Sequence, residues 1–167
     1  MQPSPWVVRF AAELPQRGRI IDLACGNGRH TRWLHSQGHR VLAVDRDLSG
    51  VQELMNRPGI DFLQADLEAD PWPFAAGEYQ GMIVTNYLYR PRLDLIAESL
   101  APGAVLIYET FAAGNERFGR PRNPDFLLQP NELQEKFAGQ MDVIAFEEIQ
   151  ETDPDPAVKQ RLCARKK

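Results

Sequence analysis

Short apolar runs recur along the first two thirds of the chain, each separated from the next by a longer and more polar stretch. The runs are 19–23, 41–44, 61–64, 81–84 and 104–108, of which 61–64 is the weakest. Runs of this length and composition are typical of strands buried on both faces of a parallel sheet. Their alternation with stretches long enough for helices predicts parallel strands joined by right-handed crossovers.

Helical signals occupy several of the intervening stretches. The clearest is the spacing of Leu93, Ile96, Ala97 and Leu100, which places four apolar residues on one helix face before a stop at Pro102–Gly103. The other predicted helices are 5–14 after a Ser4 cap, 29–37 before Gly38, one capped by Asp47 with Val51, Leu54 and Met55 on one face, and one with Pro130 in its first turn and Leu133 and Phe137 on its apolar side.

The last third of the chain has a different character. Residues 111–129 have no clear period, whereas 141–149 and 157–163 are predicted to be two strands with no helix between them. Such a pair indicates antiparallel strands at one edge. The predicted fold class is therefore α/β, a Rossmann-like three-layer sandwich with a seven-stranded, mostly parallel sheet and an antiparallel C-terminal edge pair. Ligands of such sheets bind beyond the carboxyl ends of the strands.

Bulk composition narrows the function classes. A length of 167 residues suits one domain, and a net charge of −4 disfavours a broad nucleic-acid-binding surface. Cys25 and Cys163 fit a reducing compartment better than a disulfide framework. No apolar run approaches membrane-spanning length, and the first residues lack a signal-peptide pattern. We therefore expect a cytoplasmic protein without a membrane segment.

The loop after the first predicted strand runs from Asp22 to Arg29 and contains Gly26 and Gly28. The glycines allow a tight turn and close approach of a ligand to the backbone. A nicotinamide-binding fingerprint needs a third glycine near position 31, where this chain has Thr31. An acidic residue before the glycines also suits a cationic amine better than a pyrophosphate, whose preferred site is an unopposed helix N-terminus.

Acidic or polar residues follow the next strands as well. Asp45 lies 19 residues after Gly26, where a carboxylate commonly accepts hydrogen bonds from ribose hydroxyls. Asp66 follows the third strand, where it can accept a hydrogen bond from an exocyclic adenine amine. Asn86 and Tyr87 follow the fourth strand. These positions predict a nucleoside-binding crevice.

Together these loops resemble the class I methyltransferase family. The run Asp22-Leu23-Ala24-Cys25-Gly26-Asn27-Gly28 is similar to the family's first motif, with Ala24 where a glycine is usual, and Asp45 and Asp66 are similar to its ribose-binding and adenine-binding acids. The turn Pro71-Trp72-Pro73-Phe74 is similar too. The chain looks most like the small bacterial tellurite-resistance-like members, which share the Cys-Gly-Asn-Gly-Arg stretch.

The resemblance implies an enzyme that uses S-adenosylmethionine and releases S-adenosylhomocysteine. It implies a single domain over 1–167, in which 1–18 form an N-terminal helical lid, 19–110 a cofactor-binding half and 111–167 an acceptor-side half. The expected cofactor-binding residues are Asp22, Ala24, Cys25, Gly26, Gly28, Arg29, Asp45, Arg46, Asp66, Leu67 and Asn86.

The methyl acceptor is less constrained by the sequence. Candidates to face the methyl group are Asn86, Tyr87, Tyr89 and Glu109. Arg117, Arg120 and Arg122 are either a solvated loop or a clamp for an anionic acceptor. A small molecule or a metalloid-type oxyanion is expected rather than a nucleobase, because Leu88 stands where the Asn-Pro-Pro-Tyr signature of adenine- and amide-methylating relatives has its second proline. A non-catalytic cofactor-binding regulatory protein and an RNA methyltransferase remain alternatives, and the oligomeric state stays open.

Cysteine and histidine side chains suggest no further chemistry. Cys25 is expected to be a small packing residue rather than a nucleophile, because no histidine–acid partner set accompanies it. His30, His35 and His39 are expected to be exposed or at helix ends. Since no cysteine or carboxylate spacing accompanies the histidines, no metal site is predicted.

Overall fold

Seven strands form one mixed sheet. The structure is a computed structural model, which describes residues 2–152 and 154–167. The strand order is β3-β2-β1-β4-β5-β7-β6, in which β1 to β5 are parallel and β7 runs antiparallel to both β5 and β6. The strands are β1 Arg19–Leu23, β2 Arg40–Asp45, β3 Ile60–Gln64, β4 Tyr79–Thr85, β5 Leu100–Phe111, β6 Met141–Glu151 and β7 Ala157–Lys166.

This order confirms the predicted fold class and refines it at one edge. The chain proceeds outward from β1 to β3 and then returns to place β4 on the other side of β1. A crevice therefore opens at the carboxyl ends of β1 and β4, where the strand order reverses. The antiparallel pair is present as predicted, but β7 is inserted between β5 and β6, so only β6 lies at the edge.

Four short α-helices and several 3-10 turns cover the sheet. The α-helices are α1 Pro5–Phe10, α2 Arg29–Ser36, α3 Leu93–Ser99 and α4 Glu132–Phe137. The 3-10 segments are Ala11–Glu13, Ser49–Leu54, Arg90–Arg92, Asn115–Arg117 and Pro124–Phe126. No helix in the described ranges is long and apolar enough to cross a bilayer.

Alternate residues of the central strands pack on opposite faces, which produces the three layers. Ile20 and Ile83 belong to one apolar cluster, together with Trp6 of α1 and Leu34 of α2. Ile21, Met82, Val84, Leu106 and Tyr108 belong to the other cluster, with residues of α3 and α4. This period of two, repeated along β1, β4 and β5, explains why the central residues of these strands are apolar on both faces of the sheet.

Several predicted helix limits were wrong. The segment after Asp47 is a 3-10 helix, and its predicted apolar residue Met55 is 38% exposed. Gly50 lies so close to the loop after β1 that an added Cβ would come within 2.5 Å of the Asn27 Oδ1 atom. Close approach of this kind requires glycine, and a glycine weakens a regular helix.

The remaining differences concern helix ends. The N-terminal helix turns from α to 3-10 geometry after Phe10, and Leu100 starts β5 instead of ending α3. Pro130 lies outside the first turn of α4, because Asn131 precedes that helix in a left-handed conformation with φ of 61°. Propensity alone locates such ends to within a few residues.

Candidate functional site

A cavity of about 430 Å³ opens at the switch point. It lies over the carboxyl ends of β1, β2, β3 and β4. We call it the first cavity, and its walls are Ala24, Asp45, Arg46, Ala65, Asp66, Leu67, Glu68, Asn86, Tyr87 and Phe126. A volume in this range suits a small molecule or a nucleotide-sized cofactor.

The loop after β1 reaches the wall of this cavity at Ala24. Ala24, Gly26 and Gly28 have φ values of 54°, 52° and 67°, all in the left-handed region. At Gly28 an added Cβ would lie 2.5 Å from Val51 Cγ1, so glycine is required there by space as well as by φ. These left-handed turns bend the chain sharply from β1 into α2 and expose the backbone to a ligand.

Asp22 lies behind this loop and does not line the first cavity. Its side chain is buried and accepts a hydrogen bond of 2.6 Å from Thr31 Oγ1 at the start of α2. Burial raises the pKa of Asp22 to about 6. Its expected role as a direct cofactor ligand therefore gives way to a bracing role between β1 and α2.

Cys25 is also a packing residue, as the sequence suggested. The thiol is buried beside Val51 and Leu54. Burial raises the pKa of Cys25 to about 12, so the thiol stays protonated at neutral pH. The arrangement does not support a nucleophile at this position.

Asp45 stands at the mouth of the first cavity with both carboxylate oxygens anchored. Oδ2 accepts a hydrogen bond of 2.8 Å from the Gly26 N–H, and Oδ1 accepts one of 3.0 Å from the Asp47 N–H. Asp47 in turn accepts from the Ser49 N–H at 2.9 Å, so it serves the following turn. Each Asp45 oxygen keeps a second lone pair available for ligand hydroxyls.

Asp66 closes the far side of the first cavity in a tight turn. Its Oδ1 accepts hydrogen bonds from the N–H groups of Glu68 and Ala69, at 2.9 and 3.1 Å. The hydrogen bond from Glu68 is the main cause that lowers the pKa of Asp66. This carboxylate is therefore ionised at neutral pH and can accept from an amine.

Asn86 and Tyr87 lie between the first cavity and a second one of about 270 Å³. Asn86 has a φ of 54°, which asparagine tolerates better than most residues, and its N–H donates to the Glu109 carbonyl at 2.9 Å. The Tyr87 hydroxyl is buried and has no hydrogen-bond partner among the described residues. Burial raises the pKa of Tyr87 and keeps its hydroxyl protonated.

The second cavity adjoins the first, and the two share part of their lining. It shares Glu68, Asn86, Tyr87 and Phe126 with the first cavity. Its other walls are Leu88, Thr110, Phe111 and Pro121. Among the described residues, Glu68 is the only side chain with a formal charge in this lining, which is otherwise apolar, aromatic or neutral.

The other two candidates for a place near the methyl group lie elsewhere. Tyr89 lines a third cavity of about 390 Å³ on the outer side of Leu88. Glu109 is 1% exposed and accepts a hydrogen bond of 2.5 Å from Arg161 Nε. Lys159 is a further cationic neighbour, 3.8 Å from the same carboxylate. Glu109 thus belongs to a buried ion cluster and is absent from the walls of the first and second cavities.

The structure separates the three arginines of the irregular segment. Arg117 donates to the Gly114 carbonyl, and its guanidinium lies over the Phe118 ring. Neither Arg117 nor Arg122 is among the described residues that line the first or second cavity. Arg120 and the predicted cofactor ligand Arg29 both line a fourth cavity of about 620 Å³ that also contains Glu109. A three-arginine clamp over the first two cavities is not what this geometry favours.

Two of the three histidines are buried; His30 lies at a helix end as expected, at the start of α2, whereas His39 is neither exposed nor within a helix. His30 is 2% exposed, where its Nε2 accepts from the Ser4 N–H at 3.1 Å and its Nδ1 faces Thr85 Oγ1 at 3.3 Å. Burial lowers the pKa of His30 to about 4. His39 is buried as well. Within 2–152 and 154–167, no cluster of histidine, cysteine or carboxylate side chains is arranged to hold a metal ion.

The sequence did not point to Phe126, although this side chain lines the first three cavities. Nor did it point to Glu68 as a wall residue. Phe126 is 45% exposed and comes from a segment without periodicity. The sequence signal that could have identified Phe126 was the presence of two phenylalanines, Phe118 and Phe126, in a stretch rich in Gly and Pro.

Comparison with known sequences settles the family. A family model described as a methyltransferase domain matches residues 20–103, which contain every wall residue named for the first cavity except Phe126. The chain belongs to the methyltransferase domain family. It is an enzyme of the class I type, with S-adenosylmethionine as the methyl donor, as the sequence motifs predicted.

Solved structures show the same fold at low identity. A methyltransferase from Methanosarcina mazei is 15% identical with a TM-score of 0.74, and the match covers 99% of both chains. The 1,6-didemethyltoxoflavin-N1-methyltransferase of Burkholderia thailandensis, solved with 1,6-didemethyltoxoflavin and S-adenosylhomocysteine bound, is 19% identical with a TM-score of 0.74 over 97% of this chain and 76% of that chain.

TehB from Haemophilus influenzae is 20% identical with a TM-score of 0.74, over 97% of this chain and 61% of that chain. Among curated proteins, none matches the chain significantly in sequence. The structural matches therefore support the fold, while the family match supports the chemistry.

Proposed function

We propose that this methyltransferase acts on a small molecule bound in the second cavity. The observation that carries the proposal is the continuity of the two cavities past Asn86 and Tyr87. A donor in the first cavity and an acceptor in the second would meet at this pair of residues. The small second volume, about 270 Å³, suits a compact acceptor.

The first cavity fits the donor in chemistry as well as in size. We assign the ribose hydroxyls to Asp45 and the adenine amine to Asp66, with Ala65 and Leu67 as apolar contacts for the ring. Ala24 and the backbone at Gly26 would contact the remainder of the cofactor. Arg46 lines the same cavity, whereas Asp22, Cys25 and Gly28 would support the site from behind.

The bound cofactor supplies a methyl group that its sulfonium has already activated. The protein then has to align the acceptor and exclude water. Asn86 would position the reacting groups, because its backbone is held at Glu109 and its side chain lines both cavities. The protonated Tyr87 hydroxyl can donate a hydrogen bond to an acceptor oxygen or nitrogen.

The charge of the side chains that line the second cavity favours a neutral or cationic acceptor over an oxyanion. Glu68 adds negative charge, and no arginine or lysine lines the second cavity. Phe111 and Phe126 offer aromatic faces, which also favour cations and flat rings. Of the three loop arginines, Arg120 remains the candidate for contact with an anionic group, through the fourth cavity.

We also propose the domain division that the sequence suggested, with one change. The proposed polar cofactor ligands fall within 19–110, whereas 111–167 contributes Phe111 and Pro121 to the second cavity and Phe126 to both cavities. The N-terminal segment is better described as a core element than as a lid, because Trp6 is 2% exposed and packs on the sheet. A cytoplasmic location is consistent with two free cysteines that are both buried.

Calorimetry tests cofactor binding at the assigned residues. S-adenosylhomocysteine should bind, and NADH should not bind comparably. Asp45→Ala should cost on the order of 2–4 kcal/mol of S-adenosylhomocysteine affinity, because two charge-assisted hydrogen bonds are lost. Asp47→Ala is the matched control, since it removes a carboxylate from the same loop and should leave affinity nearly unchanged. An unaltered dissociation constant in Asp45→Ala would show that another residue holds the ribose.

Turnover with a panel of acceptors tests the second cavity. Release of S-adenosylhomocysteine should occur with compact amines or nitrogen heterocycles and not with metalloid oxyanions or RNA. Tyr87→Phe should slow that turnover while preserving cofactor affinity. Turnover with RNA, weakened by added salt, would favour the RNA alternative. Absence of turnover with every acceptor would favour a cofactor-binding regulatory protein.

A further inference from the structure

The 3-10 turn Arg90–Arg92 follows the loop after β4 and carries two arginines on either side of Pro91. Both guanidinium groups point to neighbouring loops and donate to backbone carbonyls there. They contact different loops, and each loop contributes a side chain to the lining of the first three cavities, Phe126 from one and Glu68 from the other. Neither arginine is itself a proposed cofactor ligand, although the loop that Arg92 contacts carries Asp66.

Arg90 holds the loop that precedes α4. Its Nη2 donates to the Leu127 carbonyl at 2.7 Å, and its Nη1 donates to the Asp125 carbonyl at 3.0 Å. The same guanidinium forms a two-pronged contact with Glu132, at 2.6 Å from Nε and 2.8 Å from Nη2. A planar guanidinium is therefore fixed on one side by a carboxylate and on the other by the carbonyls that flank Phe126.

Arg92 holds the loop that follows β3. Its Nη2 donates to the Asp70 carbonyl at 2.9 Å and to the Glu68 carbonyl at 3.3 Å. This loop also carries Asp66, whose N–H donates to Asp70 Oδ2 at 2.9 Å. Arg92 thus supports the turn in which Asp66 and Glu68 are presented to the cavities.

Glu68 and Phe126 are the two side chains that line all three of these cavities. One belongs to the loop held by Arg92 and the other to the loop held by Arg90. Phe126 is 45% exposed, so packing in the core does not fix its position. The contacts of Arg90 with the carbonyls on both sides of Phe126 supply the constraint that burial does not.

We propose that Arg90 and Arg92 are positioning residues that set the distance between the two walls of the reaction site. Arg90 acts through Phe126, and Arg92 acts through the turn of Asp66 and Glu68. This inference rests on the proposed function, because it requires the cofactor to lie between these walls. It adds that one turn after β4 determines how tightly cofactor and acceptor are enclosed.

A double-mutant cycle with S-adenosylhomocysteine as the probe tests the Arg90 part. Phe126→Ala should raise the dissociation constant about fivefold, as expected for loss of one aromatic contact. Arg90→Met should raise it by a similar factor, because Phe126 would leave its place. The Arg90→Met/Phe126→Ala double variant should be no weaker than Phe126→Ala alone, since the arginine would act only through the missing ring.

Multiplicative effects in the double variant, about 25-fold, would overturn the proposal, as would an unchanged affinity in Arg90→Met. Arg57→Met is the control, because Arg57 is exposed and lies just before β3, at the opposite end of the sheet from the cavities. Failure of the wild-type protein to bind S-adenosylhomocysteine would instead refute the proposed function. If Arg90→Met does not fold, Arg90→Lys provides the test, with a smaller loss because charge remains and the planar fork is lost.

Hydrogen exchange separates the two arginines. Arg90→Met should increase amide exchange at 124–128 and leave 66–70 unaffected, whereas Arg92→Met should do the reverse. A merely destabilised protein would instead show faster exchange throughout both loops in both variants, and that result would overturn the assignment of one wall to each arginine.

Discussion

Ala24 occupies a backbone conformation that usually belongs to glycine. Its φ of 54° lies in the left-handed region, where a Cβ is crowded by the backbone. The family resemblance placed a glycine at this position, and the structure shows that the backbone still has the geometry that such a glycine would adopt. The loop after β1 is therefore maintained with some strain at the wall of the first cavity.

Ala24→Gly should relieve this strain and raise the free energy of unfolding by about 1 kcal/mol. Urea denaturation measures the change. Ala75→Gly is the control, because Ala75 is exposed in a loop and has an ordinary φ, so glycine there should only add freedom to the unfolded chain. A loss of stability in Ala24→Gly equal to that in Ala75→Gly would show that position 24 carries no strain.

Asp22 and His30 are both buried and ionisable, and their pKa values shift in opposite directions. The pKa of Asp22 rises from 3.8 to about 6, and the pKa of His30 falls from 6.5 to about 4, both mainly through burial. Stability from neutral Asp22 is present below pH 3.8 and is lost as pH rises through about 6. Stability from neutral His30 is present above pH 6.5 and is lost as pH falls through about 4.

The two effects should largely cancel in the wild-type protein between pH 4 and 6.5. Relative to wild type, Asp22→Asn should lose about 3 kcal/mol when pH falls across this window, because only the His30 effect remains. His30→Gln should gain a similar amount. Urea denaturation at several pH values measures both slopes, and parallel curves for the three proteins would contradict the shifted pKa values.

At the scale of elements, the antiparallel strands β5, β6 and β7 are joined by a buried ion cluster. Glu109 on β5 contacts Arg161 and Lys159 on β7, and both cations also contact Glu151 on β6. Glu109 is 1% exposed, so its charge depends on these partners. A carboxylate after the fifth strand was expected to face the methyl group, but the two facing cations on β7 retain it within the sheet.

Glu109→Gln should lower the free energy of unfolding by about 3 kcal/mol, because a buried carboxylate no longer compensates two partly buried cations. Affinity for S-adenosylhomocysteine should remain close to that of the wild type. Glu147→Gln is the control, because Glu147 is a more exposed partner of Arg161 and should change stability by less than about 1 kcal/mol. A large loss of cofactor affinity in Glu109→Gln would restore Glu109 as a site residue.

The sequence could predict the residues that follow the strands, but not the residues whose positions depend on distant contacts. Asp45 and Asp66 were found because both follow apolar runs, and the carboxyl ends of parallel strands meet at one edge. Phe126 was not found, because its place depends on hydrogen bonds between Arg90 and backbone carbonyls, which leave no periodic pattern. The burial of His30 was not predicted, because its environment comes from Ser4 and Thr85, which are far from it in the sequence.

At the scale of the whole molecule, the sheet connects the proposed cofactor half to the proposed acceptor half. β7 pairs with β5 from Val105 to Phe111 and fills the space between β5 and β6. Leu162, Cys163 and Ala164 of β7 have no measurable exposure. Removal of 111–167 would therefore leave the hydrogen-bonding edge of β5 unpaired, so the two halves should not fold separately.

Unfolding should accordingly be a single cooperative transition. Fluorescence from Trp6, Trp33 and Trp72, which all lie within the first 72 residues, should follow the same urea curve as far-ultraviolet circular dichroism of the whole chain. S-adenosylhomocysteine at 100 times its dissociation constant should shift both curves together by about 2.7 kcal/mol, because it binds only the folded state. Separate midpoints, or a shift confined to the tryptophan signal, would show that 19–110 and 111–167 unfold as independent units. The second cavity would then be formed by two units that do not fold together.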